Sequence, residues 1–287
     1  MTSLHGQTIA ITGAARGIGF ATARALLLSG AKVAISDIDE AELKRAATEL
    51  GVTCYARLDV TDADAFAAFL DYAESELGPI TGIVNNAGIM PTGGLLEEQA
   101  SLARRVLEIN TLGVINGTKA ALQRMVPRRR GHVVNMASTM GEAPVPGLAT
   151  YNASKAAAII FTDAARLEFR SSGIKFSTVL PGGVNTGLAD GVDASISVPL
   201  PFGRSIPIVK HVEPEEVARA VVRALASGKS HRRIHVPRSF GVLLRSGGLL
   251  PICMNEALQR SLGAHKKILQ SSDPAKRARY LARVRST

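Results

Sequence analysis

The residues best suited to acid–base chemistry are a tyrosine and a lysine four positions apart, Tyr151 and Lys155, at the start of an alanine-rich segment. In a helix this spacing places both side chains on one face. A free phenol has a pKa near ~10 and a neighbouring ammonium lowers it, so Tyr151 is predicted to transfer a proton near neutral pH. An isolated pair of this kind also fits a packed tyrosine beside a solvated lysine.

A serine supports the chemical interpretation. Ser138 follows the apolar strand pattern HVVNMA and precedes Tyr151 by thirteen residues. A strand end and a helix start can bring the two hydroxyl groups together over one substrate oxygen. On its own, a serine in the position of Ser138 would more often be a turn or cap residue.

A glycine-rich turn, TGAARGIG, runs from Thr12 to Gly19 between a β-branched segment and a helical pattern. Glycines let the backbone approach a pyrophosphate, and the following helix start favours the anion. The next strand ends at Asp37, whose carboxylate can accept hydrogen bonds from an adenosine ribose and repel a 2′-phosphate, which favours NAD. Arg16 could instead meet a phosphate, so NADP stays the alternative, and Asp37 and Asp39 would also serve as helix caps.

The elements that must position these residues follow from an alternation of short β-branched runs with longer segments of helical period. Neighbouring parallel strands must be joined by crossover connections, which are right-handed, so we expect an α/β fold of Rossmann type. It is a doubly wound parallel sheet of about seven strands flanked by helices, in a single domain with a C-terminal extension. The strands are predicted at 8–12, 32–36, 53–58, 82–85, 132–136, 175–180 and 233–236.

Residues 1–236 are predicted to form the cofactor-binding and catalytic domain, and residues 237–287 the extension. After Pro181 a Gly/Pro/Ser-containing stretch interrupts the pattern, which indicates a substrate loop at about 183–212. Glycines that separate a helical pattern from the next strand are expected to take the left-handed cap conformation. They are Gly30, Gly51, Gly78, Gly131 and Gly173.

Taken in order, the motifs resemble those of the short-chain dehydrogenase/reductase family, over roughly residues 6–236. They are TGAARGIG, Asp59-Val60, Asn85-Asn86-Ala87-Gly88, Asn110, Ser138, Tyr151-xxx-Lys155 and Pro181-Gly182. The resemblance implies that Asp59-Val60 contacts adenine and that the Asn-Asn-Ala-Gly turn lines the cofactor cleft. It also implies that the segment after Pro-Gly, with Val184 and Thr186, holds the nicotinamide carboxamide.

The catalytic residues are therefore predicted to be Asn110, Ser138, Tyr151 and Lys155. The resemblance implies that Asn110 holds a water of the proton relay, and that Lys155 binds the nicotinamide ribose and lowers the pKa of Tyr151. Oxidation makes Tyr151 the base and reduction makes it the acid. The residues predicted to bind NAD, or alternatively NADP, are Thr12, Gly13, Arg16, Gly17, Ile18, Gly19, Asp37, Asp59, Val60, Asn86, Ala87, Gly88, Tyr151, Lys155, Pro181, Gly182, Val184 and Thr186.

The substrate is predicted to be a lipophilic secondary alcohol or ketone, or a primary alcohol or aldehyde. Residues 187–211 are mostly uncharged, and apolar residues follow the cleft motifs, although loops also pack such residues against their own domain. The sequence does not distinguish steroids, polyols, retinoids and fatty alcohols as the substrate class. The residues predicted to contact substrate are Ser138, Met140, Val145, Tyr151 and Leu188.

Composition excludes several other classes. The formal charge is +10, but seven Lys/Arg residues and one acid fall within 265–287, so the basic character belongs to a tail and not to a nucleic-acid-binding fold. Cys54 and Cys253 are far apart, which argues against a disulfide framework or a metal site. A secretory start and a long apolar run are both missing from the sequence, so a cytoplasmic protein is expected.

The extension carries an apolar segment at 240–254 and the basic tail. The tail is compatible with weak contact to a membrane surface. The preferred interpretation is that the apolar part packs over the cleft or a subunit interface and that the basic part is a solvated helix. The resemblance further implies a homodimer or homotetramer.

Two rival functions share this fold pattern. One is a non-catalytic NAD(P)-sensing binding protein, since fold alone does not establish activity, and the complete set of four catalytic residues argues against it. The other is a nucleotide-sugar epimerase or dehydratase, a class that usually carries a larger C-terminal domain and a differently spaced glycine turn.

Overall fold

The computed structural model describes residues 3–186, 196–199, 205–209, 212–247 and 280–282 of the chain. Seven of the described strands form one parallel sheet in the order β3-β2-β1-β4-β5-β6-β9. Their bounds are β1 Thr8–Thr12, β2 Lys32–Asp37, β3 Tyr55–Arg57, β4 Ile80–Asn85, β5 Gly131–Met136, β6 Ile174–Pro181 and β9 His231–Val236. The expected doubly wound α/β fold is confirmed.

Helices cover both faces of this sheet. On one face, α1, α2 and α7 pack into a core that includes Leu26, Leu43 and Val221. On the other face, α3, α5 and α6 pack around Phe66 and Phe176. The helices are α1 Gly17–Leu28, α2 Glu40–Leu50, α3 Ala63–Leu77, α4 Ala100–Leu107, α5 Gly113–Met125, α6 Ala149–Glu168, α7 Pro214–Ala226 and α8 Arg238–Gly247.

The strand order reverses beside β1, because β1 pairs with β2 on one side and β4 on the other. At such a point the connections leave in opposite directions, and a crevice opens beyond the carboxyl ends of the strands. Every residue of β1 is buried, as expected for a central parallel strand covered on both faces. The fold therefore places the glycine turn after β1 directly at the crevice.

Local chemistry explains where α2 begins and ends. The Asp39 side chain accepts a hydrogen bond from the Glu42 backbone N–H at 3.2 Å and caps the start of the helix. At the other end Gly51 takes the left-handed conformation with φ 67°. The interpretation of Asp39 as a helix cap is thus confirmed.

Two of the five predicted left-handed glycine caps are wrong. Gly30, Gly51 and Gly173 have positive φ, whereas Gly78 combines φ 89° with ψ 179°, outside the left-handed helical region. Gly131 begins β5, and the residue with positive φ before it is Arg129, with φ 50°. A Cβ at Gly131 would lie 2.1 Å from Sδ of Met125. Glycine is needed at this position because α5 packs closely against the strand, and not because of the backbone conformation.

The stretch predicted as a loop contains regular structure. Within it, β7 (Ile196–Pro199) and β8 (Ser205–Val209) pair as an antiparallel hairpin, and the role of this stretch as a substrate loop stays a prediction. Short β-branched alternation supports this pairing. Leu188 and the rest of 187–195, like most of the 237–287 extension, lie outside the described residues.

No helix among the residues that the structure describes has the length and hydropathy needed to cross a bilayer.

Candidate active site

A single cleft at the carboxyl ends of the strands brings most of the predicted residues together. Thr12, Gly19, Asn110 and Val145 do not line it, and Leu188 is outside the described residues. The predicted residues that line the cleft are Gly13, Arg16, Gly17, Ile18, Asp37, Asp59, Val60, Asn86, Ala87, Gly88, Ser138, Met140, Tyr151, Lys155, Pro181, Gly182, Val184 and Thr186.

The glycine turn is shaped by contacts that larger residues would prevent. Gly13 has φ +65°, and a Cβ there would lie 2.7 Å from the Cα of Ala87. A Cβ at Gly19 would lie 2.1 Å from the carbonyl oxygen of Gly13. These approaches bring the first turn of α1 to the cleft, where Gly17 and Ile18 form part of the wall. The side chain of the cap residue Arg16 makes no hydrogen bond to the α1 N-terminus, so the N–H groups there suit an anionic ligand.

Thr12 supports the turn from behind. Its hydroxyl oxygen accepts hydrogen bonds from the backbone N–H groups of Asn86 at 3.1 Å and Ala87 at 3.2 Å. The Asn86 amide donates in return to the carbonyl oxygens of Thr12 and Gly13. Four hydrogen bonds thus join the end of β1 to the end of β4, which makes Thr12 a positioning residue for the cleft wall.

Asp37 and Arg16 lie at the end of the cleft near β2. The carboxylate of Asp37 accepts backbone hydrogen bonds from Ala15 and Asp39, both at 3.1 Å. Arg16 forms an ion pair with the Asp39 carboxylate. The sequence left open a contact between Arg16 and a phosphate, and in the structure the neighbouring Asp39 carboxylate offsets the charge of Arg16.

Arg105 is a cleft residue that the motifs did not predict. Its guanidinium lies 3.3 Å from the Asp59 carboxylate, and both side chains line the cleft. Burial on its own would raise the pKa of Asp59, but hydrogen bonds from Thr61 and the nearby Arg105 outweigh it and lower the pKa. Asp59 therefore stays ionised in the cleft. No local signal in α4 marks Arg105, because its partner is 46 residues away.

Tyr151 and Lys155 meet Ser138 at the other end of the cleft. Burial raises the pKa of Tyr151 to about 12, while a hydrogen bond with Ser138 acts in the opposite direction. Lys155 is 4 % exposed, and its ammonium donates to the carbonyl oxygen of Met136 at 3.1 Å. Burial lowers the pKa of Lys155 to about 8. The three side chains therefore converge, as the spacing predicts.

Burial, and not the neighbouring ammonium, has the largest influence on the pKa of Tyr151 in the protein by itself. The Lys155 nitrogen lies over the Tyr151 ring, 5.8 Å from its centroid. At that position desolvation dominates, so the pKa of Tyr151 rises instead of falling. The phenol is therefore neutral over the whole physiological pH range.

Asn110 is fully buried in a π-helical turn, Glu108–Leu112, between α4 and α5. Its carboxamide accepts from the Ile89 N–H and donates to the Ile89 carbonyl, both at 2.9 Å. It also donates to the Ser154 hydroxyl at 3.0 Å. In these contacts Asn110 positions the segment after the Asn-Asn-Ala-Gly turn, and the water-holding role stays a prediction.

The wall beside Tyr151 is apolar. Met90, Leu148 and Tyr151 form a buried cluster, against which Met140 and Val145 pack. Both were predicted to contact substrate, but only Met140 lines the cleft, whereas Val145 does not.

Tyr280 completes this end of the cleft and was missed. It belongs to the helical residues 280–282, is buried, and accepts a hydrogen bond from the Met90 N–H at 2.7 Å. The expectation that the basic tail is simply a solvated helix is wrong at this residue. A contact across 190 residues leaves no periodic pattern, so only the tertiary structure reveals it.

The described residues fit a nicotinamide dinucleotide. The glycine cradle admits a diphosphate, Asp37 has acceptor capacity left for a ribose, and a buried ammonium lies beside the phenol. Among the described residues, no group of three or more His, Cys, Asp or Glu side chains is arranged to bind a metal ion.

Comparisons with known proteins agree with this geometry. The family model of the short chain dehydrogenases matches residues 7–196. The probable oxidoreductase EphD of Mycobacterium tuberculosis is 41% identical over 185 residues, which cover 63% of this chain and 31% of EphD. This chain thus spans about a third of that relative's length.

Two further relatives match over most of their own length. The 2-(S)-hydroxypropyl-CoM dehydrogenase 3 of Xanthobacter autotrophicus is 36% identical over 231 residues, 78% of this chain and 91% of the relative. The putative oxidoreductase SadH of Mycobacterium tuberculosis is 33% identical over 276 residues, 92% of this chain and 96% of SadH. Because residues 1–236 cannot supply that share, the similarity to SadH continues into the C-terminal extension.

Proposed function

The chain belongs to the short-chain dehydrogenase family, and from this premise we propose that it interconverts a lipophilic secondary alcohol and the corresponding ketone, with NAD as the preferred cofactor. The observation that carries the proposal is the convergence of Ser138, Tyr151 and Lys155 at one end of the cleft. Two hydroxyl groups and a buried cation around one position suit proton transfer to or from an alcohol oxygen.

When bound, a nicotinamide dinucleotide supplies or accepts the hydride. Ser138 orients the substrate oxygen, and Tyr151 moves the proton at that oxygen. With a pKa of about 12 the phenol is protonated at neutral pH, so it is ready to act as the acid in ketone reduction. In alcohol oxidation the same hydroxyl must first lose its proton, so the oxidation rate should rise with pH.

Lys155 contributes a positive charge at this end of the cleft. Its pKa of about 8 leaves the ammonium mostly charged at neutral pH, although it is buried. That charge favours the phenolate over the neutral phenol whenever Tyr151 gives up its proton. The ammonium is also the group that would bind the nicotinamide ribose.

The preference for NAD rests on Asp37 and on the ion pair between Arg16 and Asp39. A carboxylate at the end of β2 accepts hydrogen bonds from a ribose and repels a 2′-phosphate. Since Asp39 already offsets the charge of Arg16, little attraction for that phosphate remains. NADP is the alternative, and parallel assays with both cofactors distinguish them.

The lipophilic substrate is supported by the apolar wall of Met90 and Met140 beside the phenol. A secondary alcohol fits the name of one relative, the 2-(S)-hydroxypropyl-CoM dehydrogenase. The same wall disfavours a polyol, because hydroxyl groups desolvated there would lose hydrogen bonds with water.

We also expect a homodimer or homotetramer. Ile160 and Leu167 on α6 and Leu112 beside α5 are large apolar side chains that are exposed in the single chain. Covering such residues is a common reason for self-association. Light scattering during size-exclusion chromatography measures the assembly directly.

A panel of alcohols and ketones tests the proposed reaction. Oxidation and reduction are followed by absorbance of the reduced cofactor, with NAD and NADP in parallel. The Tyr151→Phe variant should lose about 10²- to 10⁴-fold in kcat, because it removes the proton-transfer group while keeping the ring. Its NAD affinity should stay within about twofold, since the phenol acts on the reacting proton.

Two results would contradict the proposal. One is wild-type chain without turnover on any compound of the panel, which would favour the non-catalytic NAD(P)-sensing alternative if cofactor still binds. The other is near-normal turnover in Tyr151→Phe.

A further inference from the structure

Within the described residues 280–282 of the C-terminal tail, Tyr280 reaches the substrate end of the cleft. Tyr280 is 8 % exposed and lines the cleft together with Met90, Met140 and Tyr151. Its hydroxyl oxygen accepts the Met90 N–H at 2.7 Å, a distance typical of a good hydrogen bond. A bulky aromatic ring therefore forms part of the wall that faces the apolar part of a substrate.

The segment that Tyr280 contacts is tied to the catalytic residues. Ile89, next to Met90, is held by the Asn110 carboxamide at both its N–H and its carbonyl group. Asn110 donates to the Ser154 hydroxyl, and Ser154 donates to the Tyr151 carbonyl at 2.7 Å. The segment is thus fixed on one side by the catalytic helix and on the other by the tail.

We propose that Tyr280 is a specificity-determining residue, whose ring closes the substrate end of the cleft and limits the size of the apolar group beside the reacting carbon. This inference rests on the proposed function, because it concerns the substrate of the same site. The Tyr280 hydroxyl group holds the tail against Met90, and the Tyr280 ring sets the length of the apolar substrate group that the cleft accepts.

Two substitutions separate these roles. Tyr280→Phe keeps the ring and removes the hydrogen bond, whereas Tyr280→Ala removes the ring as well. Tyr72, on the surface of α3 and remote from the cleft, provides the matched control variant Tyr72→Phe. Thermal unfolding by circular dichroism checks that each variant is folded.

Amide hydrogen exchange of the Met90 segment measures tail docking without any enzymatic activity. In Tyr280→Phe the Met90 N–H loses its acceptor, so its exchange should accelerate by about tenfold or more. Pro91 has no N–H and adds no signal to a peptide that covers this segment. Tyr72→Phe should leave this exchange unchanged.

A series of 2-alkanols of roughly four to ten carbons measures the size limit through kcat/KM, since each methylene group changes discrimination measurably. Tyr280→Ala should shift the preferred length by about two carbons or more towards longer chains, mostly through KM. The dissociation constant of NAD, measured by calorimetry, should stay within about twofold, because Tyr280 lies at the substrate end.

The outcomes discriminate clearly. Unchanged Met90 exchange in Tyr280→Phe would show that the tail is not docked there and would overturn the inference. An unchanged length preference in an active Tyr280→Ala would overturn it as well, while leaving the proposed function intact. A wild-type chain inactive on the whole series with both cofactors would overturn the proposed function and this inference together.

Discussion

Replacing Lys155 by methionine should stabilise the protein at neutral pH while removing its activity. The ammonium is almost fully buried next to Tyr151, and its one hydrogen bond given by the structure is to the Met136 carbonyl. Methionine has a similar length and no charge to desolvate. The site therefore keeps a charged group that serves catalysis although it lowers the free energy of unfolding.

The magnitude follows from the pKa of Lys155, which burial lowers from 10.5 to about 8. At roughly 1.4 kcal/mol for each pH unit, this difference corresponds to about 3 kcal/mol of destabilisation while the group is charged in both states. Loss of the hydrogen bond to Met136 offsets about 1 kcal/mol of the gain. Lys155→Met should therefore raise the free energy of unfolding by about 2 kcal/mol at pH 7.

The sign of the pH dependence follows from proton binding. Because the folded pKa lies below the unfolded one, the unfolded chain binds more protons between about pH 8 and pH 10.5. Wild-type stability therefore rises with pH in this window, and the advantage of Lys155→Met shrinks. Tyr151 faces the lysine but, with a pKa of about 12, stays neutral there.

Urea unfolding by far-UV circular dichroism measures the effect, since the chain contains no tryptophan to serve as a fluorescent probe. The stability difference between the variant and the wild type should fall from about 2 kcal/mol at pH 7 to near zero at about pH 9.5. Lys44, exposed on α2, gives the control Lys44→Met, for which we expect a change within about 0.5 kcal/mol.

A destabilised Lys155→Met at pH 7, with a difference that does not change with pH, would refute the reasoning. It would mean that the ammonium is solvated or paired more effectively than its contacts in the structure indicate.

Three other substitutions test the cofactor end and the support of the cleft. Asp37→Ala should lower the preference for NAD over NADP by about tenfold or more in kcat/KM, because the carboxylate that repels a 2′-phosphate is gone. Gly19→Ala should lower the free energy of unfolding by about 3 kcal/mol and weaken NAD binding, since its Cβ would collide with the carbonyl oxygen of Gly13. Asn110→Ala should lower the free energy of unfolding, measured by urea titration, by about 2–4 kcal/mol, because it leaves both backbone groups of Ile89 unpaired.

Each of these substitutions has a clear contrary result. For Asp37→Ala it is an unchanged ratio of kcat/KM for the two cofactors. For Gly19→Ala it is a free energy of unfolding that changes as little as in the control Gly94→Ala. That control should be tolerated, because its Cβ would meet only the flexible end of Glu97. For Asn110→Ala, an unaltered unfolding curve would show that the Ile89 segment does not depend on the carboxamide.

Local patterns in the sequence determined the order of strands and helices and the position of the glycine turn. These features depend on residues that are near each other in the chain. Asp39 caps α2 three residues from its partner Glu42, and Tyr151 and Lys155 share a helix face because they are four residues apart. The family resemblance extended this reach to Asp59 and Ser138, which the fold brings into the same cleft.

Only the tertiary structure decided how those groups behave once they meet. Burial raises the pKa of Tyr151 although a lysine is near, Asp39 offsets the charge of Arg16, and Tyr280 joins the cleft from the far end of the chain. Desolvation and long-range contacts depend on what surrounds a side chain in space. Neighbours in space are set by the packing of the whole sheet, and no periodicity along the chain encodes them.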